Sequence, residues 1–286
     1  MTLFFQDLLS SPLLQRSVAA MALAAVACGI VGCYVVLKRD SYAVGAISHS
    51  LLGGVGAALF LSAKYGLAWL TPWLGALVAA LLVAVVITLM TVRWKMRADT
   101  VLSAIWAVGM ALGISFVTAT PGYPPDLNSY LFGSILIISP MDLWMTAVLD
   151  AVILMVALLW HQRFVALAFH AEILSLRGIS LGGVQLAMQL LVALTVVILS
   201  QLVGIVLCMA LLILPVATAS VFSRRIPVIM VLSAILCFLC AFVGVAVSYD
   251  ALPGNILLAP GATIVELAGV LFLLSVVIRF FRRKRV

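Results

Sequence analysis

One of the chain's three histidines, His49, stands inside an apolar run that reads Gly45-Ala-Ile-Ser-His-Ser-Leu-Leu-Gly-Gly54. A bare imidazole in hydrocarbon is costly, so a histidine in such a run needs a partner or a task. A neutral imidazole nitrogen is a good ligand for zinc, iron and copper. The run therefore makes His49 a candidate transient metal ligand. The alternative is a buried histidine that is hydrogen-bonded to a neighbouring backbone group or to Ser48.

Two carboxylates, Asp150 and Glu266, also fall inside apolar segments. Ionisable groups at membrane depth mark ion paths, although they also pair for structural reasons. We predict that both line a translocation path together with Ser48 and two glycines near His49, Gly45 and Gly53. Small residues in a membrane helix equally permit close helix packing, which is the alternative for the glycines.

The elements that must position these residues are membrane helices. The chain is 66% hydrophobic and 9% charged, whereas a soluble domain is about half apolar and a quarter charged. No soluble core could hide this much apolar surface, so we expect residues 1–286 to form one all-α, polytopic membrane domain. Its backbone must satisfy its own hydrogen bonds in lipid, which favours helices throughout.

Nine segments approach the roughly 20 residues that a crossing requires, and eight or nine crossings are expected. Tyr130–Ile138 is apolar but too short to cross and is interpreted as a half-helix or part of a bent span. The nine segments are Ser17–Leu37, Val44–Leu61, Trp73–Val92, Leu102–Thr118, Leu143–Trp160, Leu181–Ser200, Val203–Phe222, Val228–Val247 and Gly261–Val277.

The basic residues assign the two sides of the membrane. With nine spans, their clusters all fall on one face, which the positive-inside rule makes the cytoplasm. The opposite loops hold mainly Lys64, Asp126 and Asp250. The N-terminus is then outside and the C-terminus inside, and the net charge of +7 reflects topology rather than a nucleic-acid partner. No basic residue or cleavage site accompanies the first twelve residues, so no removable signal peptide is expected.

The segment at about 164–180 is the longest polar interruption, and it is amphipathic. Three apolar residues recur there at helical spacing, namely Phe169, Ile173 and Leu176. The charged residues Glu172 and Arg177 lie off that stripe. Gly178 can end such a helix. The helix suits the docking of another protein, and a connector lying on the bilayer surface is the alternative.

Pro215 stands inside the seventh segment. It removes one backbone hydrogen bond and kinks the helix, because it has no N–H to donate. The kink is predicted to serve as a hinge for gating, with a static bend as the alternative.

Four segments, taken in order, resemble the membrane subunits of ABC importers for manganese, zinc and iron. They are Ile47–Gly54, Asp99–Gly113 followed by Tyr130–Ser134, Phe169–Gly178, and Val203–Ala219 with Gly261–Val265. The resemblance implies the ABC importer permease fold and a multi-pass protein of the bacterial inner (plasma) membrane. It also implies that the cargo is a divalent metal and that no cofactor is bound permanently.

The resemblance further implies partners. Two cytoplasmic ABC ATPases would bind the coupling helix at about 164–180 through Phe169, Glu172, Arg177 and Gly178. A periplasmic or lipid-anchored binding protein would deliver the cargo, and a second permease copy or a close paralogue would complete the path within the lipid. The sequence contains no Gly-x-x-x-x-Gly-Lys-Ser/Thr loop. ATP hydrolysis is therefore expected in the separate ATPase, and this chain is expected not to be an enzyme.

The sequence departs from the family's pattern beside His49. Family members carry Asp four residues before this histidine, where the chain has Gly45, and often His at the position of Ser129. Gly53 replaces the family's usual Pro. A carboxylate and an imidazole one helical turn apart can hold one ion, and manganese prefers the added oxygen. The missing ligands argue against a tight manganese site and for a looser path for zinc or ferrous iron, for chelator-linked iron or for a larger complex, unless Asp150 or Glu266 replaces the missing carboxylate. Manganese, zinc and iron all stay candidate cargoes.

A second class of function remains open. A proton-coupled secondary transporter would use Asp150 and Glu266 and would work without any partner at the 164–180 segment. An intramembrane metalloprotease would need a His-Glu-x-x-His pair and a third ligand, and His49 stands alone.

Overall fold

The computed structural model describes residues 4, 7–8, 10–67, 69–121, 133, 138–251 and 259–283. Within these residues the chain is helical and contains no strand. Ten helices have both ends in this part of the chain: α1 (Pro12–Lys38), α2 (Ser41–Tyr65), α3 (Pro72–Thr88), α4 (Ala98–Ala119), α5 (Pro140–Phe169), α6 (Ala171–Leu176), α7 (Leu181–Leu202), α8 (Ile205–Phe222), α9 (Ile226–Ala251) and α10 (Pro260–Arg283). A π-helical turn, Leu89–Arg93, continues α3.

Eight of these helices are long and apolar enough to cross a membrane, which confirms the predicted all-helical, polytopic fold. They are α1 to α5, α7, α9 and α10. The seventh predicted span, which is the one not among these eight, was placed at Val203–Phe222, but α8 begins only at Ile205 because Gly204 has a φ of +92° and separates it from α7. Its 18 residues give a length of about 27 Å, close to the thickness of the hydrocarbon core.

Turn residues at the helix ends explain where several helices start and stop. Proline begins α1, α3, α5 and α10, a position where its missing N–H costs nothing. The hydroxyl of Ser139 caps α5 by accepting from the backbone of Asp142, whose side chain accepts in return from Ser139. Gly66, with a φ of +68°, ends α2 in a left-handed conformation that suits glycine.

The helices divide into an inner and an outer group. The apolar windows of α1, α2 and α7 are more than half buried, whereas those of α4, α5 and α10 are less than a quarter buried. Helix α2 lies against α3 and α4 and also contacts α7 and α8. Helix α2, which carries His49, is therefore enclosed by four other helices.

The N-terminal segment packs against the C-terminal end of α9. The Tyr249 hydroxyl donates a hydrogen bond to Oδ2 of Asp7 at 2.7 Å, and the backbone N–H of Phe4 donates to Oδ1 of Asp250 at 3.1 Å. This arrangement is the one expected if α8 is counted as a crossing, because eight crossings (α1 to α5 and α7 to α9) then separate these two ends and bring them to the same side. Which side is outside stays a prediction.

Some predicted features fall outside the described residues. The half-helix at Tyr130–Ile138 does so except for Gly133 and Ile138, and Asp126 and Ser129 also lie in the part that the structure does not describe.

Candidate functional site

His49 lies in the contact between α2 and α4. One face of α2 repeats small and ring-bearing residues at heptad-like spacing, and the facing residues of α4 contact them. We call this contact the α2–α4 seam; it consists of Tyr42, Gly45, His49, Gly53 and Gly56 of α2 and Ser103, Trp106, Gly109 and Gly113 of α4.

The ring of His49 stacks on the indole of Trp106. The two centroids are 4.4 Å apart and the planes differ by 17°. Stacking occupies one face of the imidazole, while its nitrogens point outward in the ring plane and remain directed away from the indole. Ser48 is fully buried, and its hydroxyl does not hydrogen-bond to the imidazole. The structure therefore favours a half-buried imidazole held by stacking over one held by Ser48.

Gly45 is a point of close contact between three helices. A Cβ at this position would collide with Cζ3 of Trp106 on α4 and would lie 2.7 Å from Sδ of Met209 on α8. The glycine thus lets two large side chains close over α2, one helical turn before His49. Its predicted role in lining a path stays a prediction.

The two glycines that follow His49 bring the backbones of α2 and α4 together. A Cβ on Gly53 would lie 3.0 Å from the carbonyl oxygen of Gly109, and one on Gly56 would lie 2.7 Å from that of Gly113. On α4 these partners form a Gly-x-x-x-Gly pattern, which is typical of closely packed membrane helices. In this structure Gly53 packs helices together, and its predicted place in the path remains untested.

A polar clamp fixes the start of α2; we define it as Lys38, Asp40 and Gln189. The Lys38 ammonium donates to Oδ2 of Asp40 at 2.7 Å, and Nε2 of Gln189 on α7 donates to the same oxygen at 2.8 Å. Between α1 and α2, Arg39 adopts a left-handed φ of +61° to make the turn. The clamp was not predicted from the sequence, because Asp40 beside two basic residues is typical of a solvated loop.

The structure places the two membrane carboxylates away from His49. Asp150 lies on α5, which packs mainly on α1 and α7, and Glu266 lies on α10, which packs on α8 and α9. Asp150 is buried and neither of its oxygens has a hydrogen-bond partner, whereas Glu266 is exposed. Within the described residues no three His, Cys, Asp or Glu side chains are grouped closely enough to hold a metal ion. A role of either carboxylate in the path stays a prediction.

The 164–180 segment divides into the end of α5 and the six-residue helix α6. Gly178 follows with a φ of +70° and ends the turn as predicted. The apolar stripe is exposed, Leu176 to 85%, while Leu174 on the opposite face is buried and anchors the segment. The stripe and the flanking charges are thus free to contact a partner; they are Phe169, Ile173, Leu176, Glu172 and Arg177.

Pro215 is buried inside α8, which continues on both sides of it. The Thr218 hydroxyl, three residues after the proline, donates to the carbonyl of Leu214, the residue just before it, at 2.9 Å. Whether Pro215 serves as a hinge stays a prediction.

A cavity of about 590 Å³ lies between α2, α3 and α4, beside the seam. Its described lining is almost wholly apolar and includes Gly53, Gly75 and Gly109 but neither His49 nor any ionisable side chain. Such a lining suits an apolar occupant, so this cavity is not the place where an ion would bind.

Comparison with known proteins gives a consistent result. The family model described as "ABC 3 transport family" matches residues 10–279. A protein of Chlamydia trachomatis named "Probable metal transport system membrane protein" is 37% identical, over 83% of this chain and 81% of that protein. The "Manganese transport system membrane protein MntC" of Halalkalibacterium halodurans is 31% identical, over 100% of this chain and 96% of that protein.

A solved structure described as "PsaBC from Streptococcus pneumoniae in complex with Fab" has a similar fold. Its TM-score is 0.81 at 27% identity, and the match covers 96% of this chain and 94% of the other. The similarity thus extends over nearly the whole chain, and the residues matched by the family model include the α2–α4 seam and the 164–180 segment.

Proposed function

This chain belongs to the ABC 3 transport family, and on that premise we propose that it is the membrane subunit of an ATP-driven importer for divalent transition metal ions. The observation that carries the proposal is the family match over residues 10–279, together with relatives named for metal or manganese transport. Manganese, zinc and iron are the candidate cargoes.

In this role His49 is the transient ligand of the path. Its imidazole is half-buried within a membrane helix, where a nitrogen donor is the group a passing metal ion can use. A conducting site must bind strongly enough to admit the ion and weakly enough to release it. A single imidazole without an adjacent carboxylate meets both requirements.

The energy comes from a separate ATPase subunit that docks on the 164–180 segment. The sequence has no phosphate-binding loop of the Walker type. The exposed side chains of Phe169, Ile173 and Leu176 provide an apolar contact surface, and Glu172 and Arg177 provide charges that orient the partner.

The exposed outer helices are available to lipid and to a second permease copy, identical or paralogous. Glu266 on α10 is exposed within an apolar helix, and a carboxylate in that position is costly against lipid. A protein neighbour at this part of α10 would lower the cost. A periplasmic or lipid-anchored binding protein would deliver the cargo at the outer side.

The principal test is His49→Ala in cells that also express the ATPase and the binding protein. Metal accumulation is measured by elemental analysis under limitation for manganese, zinc and iron in turn. We expect uptake to fall by about tenfold or more, because the path loses its nitrogen ligand. Lys64→Ala, near the other end of α2, is the control and should leave uptake unchanged. Normal uptake in His49→Ala would reject the ligand role, and no uptake in the wild type would reject the importer.

A second test addresses the ATPase contact. Glu172→Arg reverses a charge on α6 and should reduce the amount of ATPase that copurifies with the tagged permease. Gln162→Arg places the same new charge on the exposed side of α5 and is the control. Equal copurification with both variants would contradict the docking assignment.

One observation favours a second candidate, a proton-coupled carrier. The carboxyl group of Asp150 is buried without a hydrogen-bond partner, which is the environment expected of a group that takes up and releases a proton. Liposomes that contain only this chain would then accumulate metal under a proton gradient, and Asp150→Asn would abolish it. Accumulation that requires the ATPase instead supports the importer.

A further inference from the structure

Two large side chains occupy the space beside His49 that a second ligand on α2 would need. Gly45 precedes His49 by four residues, so both lie on the same face of the helix. Any Cβ at Gly45 would collide with the indole of Trp106 and would lie within 3 Å of the sulfur of Met209. Trp106 therefore covers the position of a potential oxygen ligand at the same time as it stacks on the imidazole.

The groups at Gly45 and His49 differ in their preference for metals. Imidazole nitrogen suits zinc and ferrous iron, and thioether sulfur suits softer ions, whereas manganese prefers carboxylate, carbonyl and water oxygen. An indole face attracts positive charge. A metal-bound imidazole is a cation, so the stack with Trp106 becomes more favourable when His49 carries an ion.

We propose that Trp106 is the specificity-determining residue of this path. By closing over Gly45 it keeps a carboxylate-type ligand away from His49, and by stacking it stabilises the imidazole–metal pair. The path thereby passes zinc and ferrous iron in preference to manganese. This proposal rests on the proposed function, because it assigns the choice of ion within the same importer.

The test measures an ion ratio, which a purely structural role of Trp106 would not change. The complete importer is purified with its copurifying ATPase and binding protein and placed in liposomes, with ATP supplied on the ATPase side. Zinc and manganese are offered at equal free concentrations, and uptake is measured by elemental analysis. The wild type should take up more zinc than manganese.

Two substitutions separate the aromatic face from the volume it fills. Trp106→Leu keeps an apolar side chain without an aromatic face, and zinc uptake should fall by about tenfold while manganese uptake stays low. Trp106→Phe keeps an aromatic face and should remain close to the wild type. Trp144→Leu, an exposed tryptophan on α5, is the matched control and should change neither ion. Equal zinc uptake by Trp106→Leu and Trp106→Phe would overturn the proposal.

A paired substitution tests the shared space directly. Gly45→Asp alone should give little folded protein, because its Cβ collides with the rigid indole of Trp106, whereas Gly45→Asp with Trp106→Ala should restore the yield, since the flexible end of Met209 can move aside. In the pair, the new carboxylate faces His49, and the manganese-to-zinc uptake ratio should rise by about tenfold. The proposal would be overturned if the folded double variant had the same manganese-to-zinc uptake ratio as the wild type, or if the wild type preferred manganese.

The outcomes also separate this inference from the one on which it rests. If the wild type moves no metal, the proposed function itself fails. If uptake is lost in His49→Ala but the ion ratio does not respond to any Trp106 variant, only the specificity assignment fails.

Discussion

Helix α2 is held in two different ways at its two functional regions. At its start, the polar clamp joins Lys38, Asp40 and Gln189 through directional bonds to a single carboxylate oxygen. Along the α2–α4 seam, the contacts are between glycine backbones and stacked rings, with the glycines allowing backbone-to-backbone approach. One region depends on charge and direction, and the other depends on volume.

The difference indicates how each region can respond during transport. The glycine contacts in the seam tolerate almost no added volume, since protein interiors are close-packed, and apart from the hydrogen bonds of Tyr42 and Ser50 to α4 they involve no bond that must break when a helix slides. The clamp consists of directional bonds, which it loses if α1 or α7 moves relative to α2. The seam therefore holds His49 against Trp106, and the bonds of the clamp join α1 and α7 to the start of α2.

The largest effect is expected from added volume in the seam. Gly113→Leu would bring a Cβ to 2.6 Å from the backbone carbon of Leu52, and backbone atoms cannot yield as a flexible side chain can. We expect a loss of about 3 kcal/mol or more in stability, seen as a lower melting temperature and a lower monodisperse yield in detergent.

Gly269→Leu is the matched control for this prediction. Gly269 lies on α10, and a Cβ there meets nothing within 4 Å in the structure. The same substitution should therefore leave the melting temperature nearly unchanged. If both variants lose the same stability, the loss does not come from the close contact in the seam, because Gly→Leu by itself raises helix propensity.

The membrane helices that form the clamp and the seam could be predicted from the sequence because hydropathy is a local property. Val44–Leu61 was predicted as a span, and the helix extends further, over Ser41–Tyr65, since polar residues at a membrane surface stay helical without adding hydropathy. The late start of α8 was missed because the left-handed conformation of Gly204 depends on its surroundings.

The site was predictable only in part. His49 stood out because it is a costly residue in an apolar run, and Gly45 because it departs from a familiar pattern. Trp106 and Met209 were missed because an aromatic and a methionine in membrane segments are typical of core packing, and their contacts with α2 join residues far apart in the chain. The Gly109-x-x-x-Gly113 spacing was a signal that could have indicated the seam.

A smaller but still clear effect is expected from the clamp. Asp40→Ala leaves the ammonium of Lys38 and the amide of buried Gln189 without their shared acceptor, at a cost of about 2 kcal/mol. Gln189→Leu should cost less, because Asp40 keeps Lys38 and a buried amide oxygen without a partner is removed at the same time. Thermal unfolding of both single variants and of the pair gives the coupling between Asp40 and Gln189.

The coupling energy decides whether the clamp is a unit. If the pair of substitutions costs as much as the sum of the two single ones, Asp40 and Gln189 act independently and the clamp does not join α7 to the start of α2. A pair that costs clearly less than the sum shows that the two residues are coupled and supports the contrast with the seam.

The smallest effect is expected where the two kinds of contact meet. Tyr42 belongs to the seam, but its hydroxyl makes a polar bond of 2.9 Å with Ser103. Ser103 uses its own proton to donate to the carbonyl of Asp99 at 2.8 Å, so the Tyr42 hydroxyl is the donor.

Because both side chains are exposed, solvent or lipid head groups replace the lost bond in Tyr42→Phe, and the cost should be about 0.5 kcal/mol. The ring itself, 5.5 Å from Trp106, remains in place. A loss several times larger in thermal unfolding would mean that this bond positions the aromatic cluster, and the seam would then depend on direction as the clamp does.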